Sequence, residues 1–264
     1  IEVKGARENN LKGITVNFPL NTFTVVSGVS GSGKSTLVRN ILYRSLMRHF
    51  GNTCDAPGQC ESVEGALKQL CGVELIDQNP IGKSSRSNPV TYLKVYDEIR
   101  HLFAQQPLAK QLKFGAGHFS FNADGGRCEE CKGEGTITVS MQFMADLKLE
   151  CEACHGKRFK NEVLEVKFHD KNIHDILEMT IGDAINFFQE HGQKRIADSL
   201  QPLQDVGLAY IKLGQSSSTL SGGENQRVKL AYYLSRQSDR PTMFIFDEPT
   251  TGLHFHDIKK LLKS

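Results

Sequence analysis

No apolar run in this 264-residue sequence is long enough to cross a bilayer, which excludes a membrane-embedded transport domain from the stretch read here. Ile1 to Asn10 show neither the apolar core nor the cleavage pattern of a secretory signal, and position 1 is not Met, as expected of a fragment. A surplus of one charge is also missing. Lys and Arg number 32 against 30 Asp and Glu, a net +2, so global charge announces no nucleic-acid partner and local clusters must be examined instead. Disulfide-type cysteine usage is absent too. The cysteines number 7, and four fall into two C-x-x-C pairs, which in a protein of cytoplasmic type favours metal over disulfide. An apolar fraction of 39% over 264 residues suffices for one large domain, or one domain carrying an insertion.

What is present is organised around Gly28-Val29-Ser30-Gly31-Ser32-Gly33-Lys34-Ser35-Thr36, a G-x-x-x-x-G-K-[ST] phosphate loop. The apolar run before it predicts a strand over Phe23 to Ser27, and Leu37 to Met47 after it reads as a helix. Glycines let the backbone curl until successive N–H groups point at one centre, and the helix N-terminus behind them adds partial positive charge. Lys34 is expected to reach the β- and γ-phosphates of a nucleotide and the Ser35 hydroxyl to ligate Mg2+. Gly28, Gly31, Ser32, Gly33 and Thr36 complete the cradle. A chance glycine-rich turn is the bland alternative, and the strand before and helix after weigh against it.

Two distant segments add to this. Met243 to Phe246 is an apolar run ending in Asp247-Glu248. Asp247 is placed to hold Mg2+ through water, and Glu248 to orient or polarise the attacking water. Just upstream, Leu220-Ser221-Gly222-Gly223-Glu224 opens the helical stretch Asn225 to Arg236, making Ser221, Gly222 and Gly223 a second backbone anion site at a helix N-terminus. In this order the three segments resemble the ABC ATPases. That resemblance implies an α/β fold: an ABC-type P-loop NTPase cassette with an inserted helical signature subdomain. It implies ATP and Mg2+ as cofactors, and a phosphate loop that faces the Leu-Ser-Gly-Gly segment of another cassette across a shared nucleotide. It also gives Gln78, at the end of the strand-like Val73 to Gln78, contact with Mg2+ and the attacking water. Many such cassettes stack an aromatic on adenine near their start. None occurs here before Phe18, so weak base selectivity is expected.

Glu2-Val3, Ile14 to Phe18 and Val163 to Phe168 alternate like strands. Tyr92 to Ala104 reads as one helix with Tyr92, Val95, Tyr96, Ile99 and Phe103 on one face. Further helices are expected over 173–177, with Asp175 in a capping role, and over 181–191 and 195–206. Cys54, Cys60 and Cys71 match no common zinc module and are read as free thiols.

Cys128-Glu129-Glu130-Cys131 and Cys151-Glu152-Ala153-Cys154 stand 19 residues apart, the spacing of a four-thiolate zinc site. Four thiolates close the tetrahedron, so Cys128, Cys131, Cys151 and Cys154 are expected to hold a structural Zn2+. Lys132-Gly133 and His155-Gly156 follow the pairs, and such glycines let backbone N–H groups approach sulfur. Thr136 to Phe143 alternates strictly and Leu147 and Leu149 continue on a return strand, so the metal staples the base of a β-hairpin. From Phe119 to Lys160 there are 6 basic and 7 acidic side chains, which is no phosphate-gripping footprint. The hairpin either reaches DNA with its tip, at Phe143 and Met144, or positions the neighbouring basic segment. That segment, Asn79 to Gly115, carries 6 Lys and Arg against 2 acids and mixes in Ser and Asn donors suited to phosphates. A solvated basic loop is the alternative.

The combination is similar to one family, UvrA, the subunit of the bacterial excinuclease that scans DNA for lesions in nucleotide excision repair. The matching stretches are Gly28 to Leu37, Asp77-Gln78 with Pro80 to Tyr92, Phe119 to Asn122 with Gly125 to Cys128, Gly156 to Arg158, Leu213 to Gln215, Leu220 to Ala231 and Asp247 to His254. The likeness is to the C-terminal half, from the second phosphate loop onward. It implies a core in two parts, 1–78 and 213–264, around an insert at 79–212 whose zinc module covers about 119–160. It places Lys83, Arg86, Ser87 and Asn88 on the DNA backbone. It implies lesion-bearing double-stranded DNA, a second copy of the full-length protein and UvrB as partners, UvrB acting through the N-terminal half, and no membrane. ABC ATPases also carry a switch histidine roughly thirty residues beyond the Asp-Glu pair. His254 and His256 follow Glu248 too closely to serve, so weak nucleotide binding and poor hydrolysis are expected of this stretch alone.

Two alternatives stand beside this. One is a UvrA-like paralogue for drug self-resistance; the other is a non-DNA ABC regulatory ATPase. A co-chaperone with similar zinc knuckles fails on Gly28 to Thr36, since those proteins lack a phosphate loop.

Overall fold

The computed structural model describes residues 1–82, 84, 86–141, 146–236, 240–250, 258–259 and 262. The chain forms two compact units, one of residues 1–77 and 237–249, the other of 78–236 and 250–264.

In the first unit, β1 (Glu2–Ala6) lies between β2 (Ile14–Asn17) and β3 (Ser62–Glu64), antiparallel to both. The helix after the phosphate loop winds as a π-helix over Thr36–Tyr43 and continues as α1 (Arg44–His49). Its Leu37, Ile41, Leu42 and Leu46 are buried with Val3, Ala6, Leu11, Phe18 and Val73, the apolar stripe that the helical spacing demands. β4 (Gly72–Ile76) pairs in parallel with the strand Thr242–Phe246, from Gly72 opposite Thr242 to Ile76 opposite Phe246.

One expectation fails here. Phe23 to Ser27 forms no strand, and Phe23 and Val25 are 80% and 71% exposed. A strand exists only through the N–H and C=O groups of a neighbour. The parallel pair of this unit is two-stranded, and among the described residues nothing pairs with 23–27.

The second unit starts with α2 (Pro89–Tyr92), α3 (Val95–Ala104) and α4 (Pro107–Gln111). The single helix expected over Tyr92 to Ala104 is therefore two. Asn88 caps α2 with Pro89 in its first turn, and Lys94, at φ 64°, turns the chain before α3 begins. A hairpin of β5 (Thr136–Val139) and β6 (Leu147–Glu150) follows, with Ile137 opposite Leu149 and Val139 opposite Leu147. The alternation holds, but these four side chains are 40–48% exposed, so the apolar face of the hairpin meets water. Its tip, with Phe143 and Met144, lies outside the described residues.

Beyond it come α5 (Asn161–Leu164), β7 (Lys167–Phe168), β8 (Lys171–Asn172), α6 (Ile173–Glu178), α7 (Ile181–Glu190), α8 (Lys194–Asp205) and α9 (Gly222–Ser235). The strand expected over Val163 to Phe168 is thus mostly a helical turn. Val163 and Val166 stand three apart and both are buried, the spacing of one face of a helical turn; in a strand they would point to opposite faces. Asp175 caps α6 as expected, accepting from the Asn172 N–H at 2.9 Å. Phe103, Phe119, Phe121, Phe159 and Phe188 are fully buried in this unit's core, each worth about 1.5–3 kcal/mol of transfer free energy. The chain then returns to the first unit as β9 (Thr242–Phe246). No helix among the described residues is long and apolar enough to cross a membrane.

Candidate nucleotide and metal sites

The phosphate loop is curled by its glycines. Gly28, Gly31 and Gly33 have φ of 156°, 79° and 98°, and at Gly33 a Cβ would lie 2.7 Å from the Leu11 side chain. Asn10 donates to the Gly31 carbonyl at 2.7 Å and Asn9 to the Thr36 hydroxyl at 3.3 Å, bracing the curl from the turn after β1. The Lys34 ammonium donates to the carbonyls of Gly28 (2.8 Å) and Val29 (2.9 Å), which sets its charge inside the loop. Ser35 stands at the N-terminal boundary of the helix, as a magnesium-side hydroxyl requires.

Asp247 and Glu248 follow β9 directly. The Asp247 N–H donates to the Ile76 carbonyl at 3.3 Å, so its side chain leaves at the same end of the parallel pair as Asp77. Arg39 lies 3.6 Å from a carboxylate oxygen of each. Glu248 has φ 48°, a left-handed backbone that costs a non-glycine residue energy and recurs at functional sites. Arg39 went unnoticed in the sequence, though its place five residues past Lys34 on the same helix was a usable signal.

The four paired cysteines converge. Their sulfurs lie within 4.8 Å of one another, and all four residues are buried. Cys128 and Cys151 Sγ are 3.9 Å apart, and Cys131 and Cys154 Sγ 3.6 Å. Tetrahedral zinc with bonds of about 2.3 Å needs about 3.8 Å between sulfurs, whereas a disulfide needs about 2 Å. Burial pushes the Cys128 and Cys154 thiols up, so a cation is needed to hold those two as thiolates. At Cys151 burial is outweighed by hydrogen bonds from the Cys154 and Ala153 backbone, which bring the thiol down. The donor set fits Zn2+. Each pair ends in two left-handed residues, Lys132-Gly133 and His155-Gly156, and the Gly135 N–H donates to Cys131 Sγ at 3.3 Å.

The Lys132 carbonyl ties the zinc module to the basic segment. Lys132 O accepts from Arg86 Nη1 at 3.2 Å and from Arg127 Nη1 at 3.4 Å. Lys83 lies outside the described residues. The Ser87 carbonyl accepts the Ser217 N–H at 2.7 Å. Asn88 is 1% exposed, and its side chain caps α2 by accepting from the Thr91 N–H at 2.9 Å. Its side-chain amide is thus engaged inside the fold, the nitrogen donating to the Arg86 carbonyl at 3.4 Å.

Ser221 caps α9 in a reciprocal box with Glu224, accepting its N–H at 3.3 Å and offering its own at 2.7 Å. Gly222 packs on Gln78; a Cβ there would lie 2.9 Å from Gln78 Oε1. The resemblance implies for Gln78 contact with metal and water and coupling to the insert that follows; Gly222 is the partner it packs on. Arg158, just after the second knuckle, donates to the Gly214 carbonyl at 3.1 Å, tying the zinc module to the approach of that segment.

The family described as ABC transporter matches residues 128–251. The UvrABC system protein A of Clostridium perfringens is 52% identical over 263 residues, 100% of this chain and 28% of that protein. The chain matches a UvrA cassette along its whole length. The Thermus thermophilus relative is 52% identical, covering 98% of this chain and 27% of its own length. The UvrA2 crystal structure from Deinococcus radiodurans superposes with a TM-score of 0.88 at 45% identity, over 99% of this chain and 31% of that one. The chain thus spans under a third of the UvrA relatives it matches, and its fold is an ABC cassette carrying a four-cysteine site that fits zinc.

Proposed function

We propose that this chain is the C-terminal cassette of a UvrA-type ATPase that recognises DNA damage in nucleotide excision repair. It works in the cytoplasm with a second copy and with UvrB, on lesion-bearing duplex. The observation that carries the reading is the unbroken likeness to UvrA, 52% over 263 residues, through phosphate loop, basic segment, zinc module and signature segment. Against the self-resistance alternative, the chain is 50% identical to the Deinococcus radiodurans UvrABC system protein A and 45% to UvrA2 of that organism.

In this reading Lys34 and the loop N–H groups hold the β- and γ-phosphates of ATP, and Ser35 and Asp247 face the Mg2+ that neutralises them. Glu248 polarises the attacking water. Ser221, Gly222 and Gly223 offer N–H groups to the nucleotide of the partner cassette. Gln78 packs on Gly222, which supports a coupling role: a shift of Gln78 is felt at the signature segment. Arg86, with Lys83 and Ser87, grips backbone phosphates, and damaged DNA is selected because it is cheaper to deform.

Fluorescence anisotropy of a labelled duplex tests this. Affinity is expected to fall with a clear log–log slope against salt, and ATP to change it in the wild type but not in Lys34→Ala. A slope near zero would support the regulator alternative and sink the repair reading.

A further inference from the structure

Arg39 sits on the widened helix Thr36–Tyr43, a winding with i→i+5 bonds that recurs at functional sites. Its two terminal nitrogens address different strands. Nη2 lies 3.6 Å from Asp77 Oδ2 and Nη1 3.6 Å from Asp247 Oδ2. Asp77 follows β4 and Asp247 follows β9, neighbours whose last paired residues are Ile76 and Phe246. Two carboxylate-bearing residues therefore leave the same end of adjacent strands, whose backbones stand about 4.8 Å apart by sheet geometry. Side by side they repel, the more so because the Asp77 side chain is only 13% exposed. A planar guanidinium addresses both at once, one fixed nitrogen to each carboxylate.

We propose that Arg39 is the resident counter-cation of the Asp77–Asp247 pair, a positioning residue that holds both carboxylates and must release Asp247 to a divalent metal. The proposal rests on the reading of Asp247 as the magnesium-side carboxylate. A fixed positive charge beside a carboxylate opposes a second cation there by direct repulsion. Arg39 thereby keeps the bare protein from taking up a divalent ion until phosphate oxygens share the charge. It makes metal entry depend on nucleotide through a residue outside the phosphate loop.

The test uses the full chain without nucleotide, titrated with Mn2+ and read by the EPR signal of the free ion, with Mg2+ as competitor. Arg39→Met is expected to bind Mn2+ about tenfold more tightly than wild type. Asp247→Asn in the Arg39→Met background is expected to abolish that gain. Equal or weaker binding by Arg39→Met overturns the proposal, and so does a gain that survives Asp247→Asn. If circular dichroism shows Arg39→Met unfolded, Arg39→Lys replaces it. Lysine keeps the charge but lacks the fixed fork that gives each carboxylate its own nitrogen, so a tightening of about twofold is expected, and unchanged or weaker binding overturns the proposal. Loss of nucleotide binding by the wild type would sink the ATPase reading and leave the Mn2+ comparison intact.

Discussion

The side-chain oxygen of Asn225 accepts the Ile81 N–H at 3.1 Å, joining the start of the basic segment to the signature helix across 144 residues. Its Nδ2 donates to the carbonyls of Ser217 (3.3 Å), Leu220 (3.2 Å) and Ser221 (3.2 Å), and the residue is 2% exposed. Both ends of a buried amide are thus satisfied, and its loss strands several backbone groups at once. Asn225→Leu is expected to lower unfolding free energy by about 2–4 kcal/mol, read from urea midpoints. A loss under about 0.5 kcal/mol would mean that the link contributes nothing to stability.

Metal and DNA contact are linked through Lys132. Metal analysis is expected to find one zinc per chain, lost in Cys151→Ser. Stripping the metal frees the left-handed turn whose carbonyl holds Arg86 at 3.2 Å. Chelation is therefore expected to weaken duplex binding in the wild type and to change little in Arg86→Ala. Arg86→Ala alone is expected to weaken binding evenly over sequence and to reduce the salt slope by about 1. Equal chelator effects in both proteins would uncouple the two.

Gly33 and Lys34 separate shape from charge. Gly33→Ala meets Leu11 at 2.7 Å with φ 98°, so both stability and ATP binding are expected to fall, the former by about 1–3 kcal/mol. Lys34→Ala is expected to lower ATP affinity at least about tenfold with its melting temperature close to wild type. Calorimetric titration and thermal scans read both, and unimpaired ATP binding by either variant contradicts the cradle.

His174 in α6 is half-buried. Burial lowers its pKa, against the upward pull of Glu178 and Asp175, while Lys157 and Arg158 add to the lowering. The unfolded imidazole then takes a proton first as pH drops below about 6.5. Stability is accordingly lost as pH falls from that value toward the lower folded pKa, and the loss saturates beneath it. Urea midpoints at pH 7.5 and 5.5 are expected to differ less in His174→Gln than in the wild type. An identical difference would show that His174 does not drive the loss.

Much of the candidate site was legible in the sequence, because its chemistry demands local backbone shapes. The curl at Gly28 to Gly33 and the knuckles after Cys131 and Cys154 need left-handed residues at set spacings, and glycine at Gly31, Gly33, Gly133 and Gly156 announces them. Helices with one apolar stripe, α7 and α8 among them, were likewise readable, since Ile196, Leu200 and Leu203 repeat at helical spacing and are buried. Val163 to Phe168 misled, because Leu164, Val166 and Phe168 alternate as in a strand while the buried pair Val163 and Val166 follows the spacing of a helical turn.

From residues alone came the phosphate loop, the Asp-Glu pair, the four thiolates and the capped start of α9, each a short run whose covalent order already dictates its geometry. Folding in three dimensions settled matters that depend on partners far along the chain. Arg39 found two carboxylates, Asn225 found Ile81, Gln78 met Gly222, Asn88 was taken inside, and Phe23 to Ser27 stayed without a strand to pair with. The reason is that a turn or knuckle is built from neighbouring φ and ψ angles, whereas an ion pair, a buried amide or a strand needs a second group that sequence order does not place.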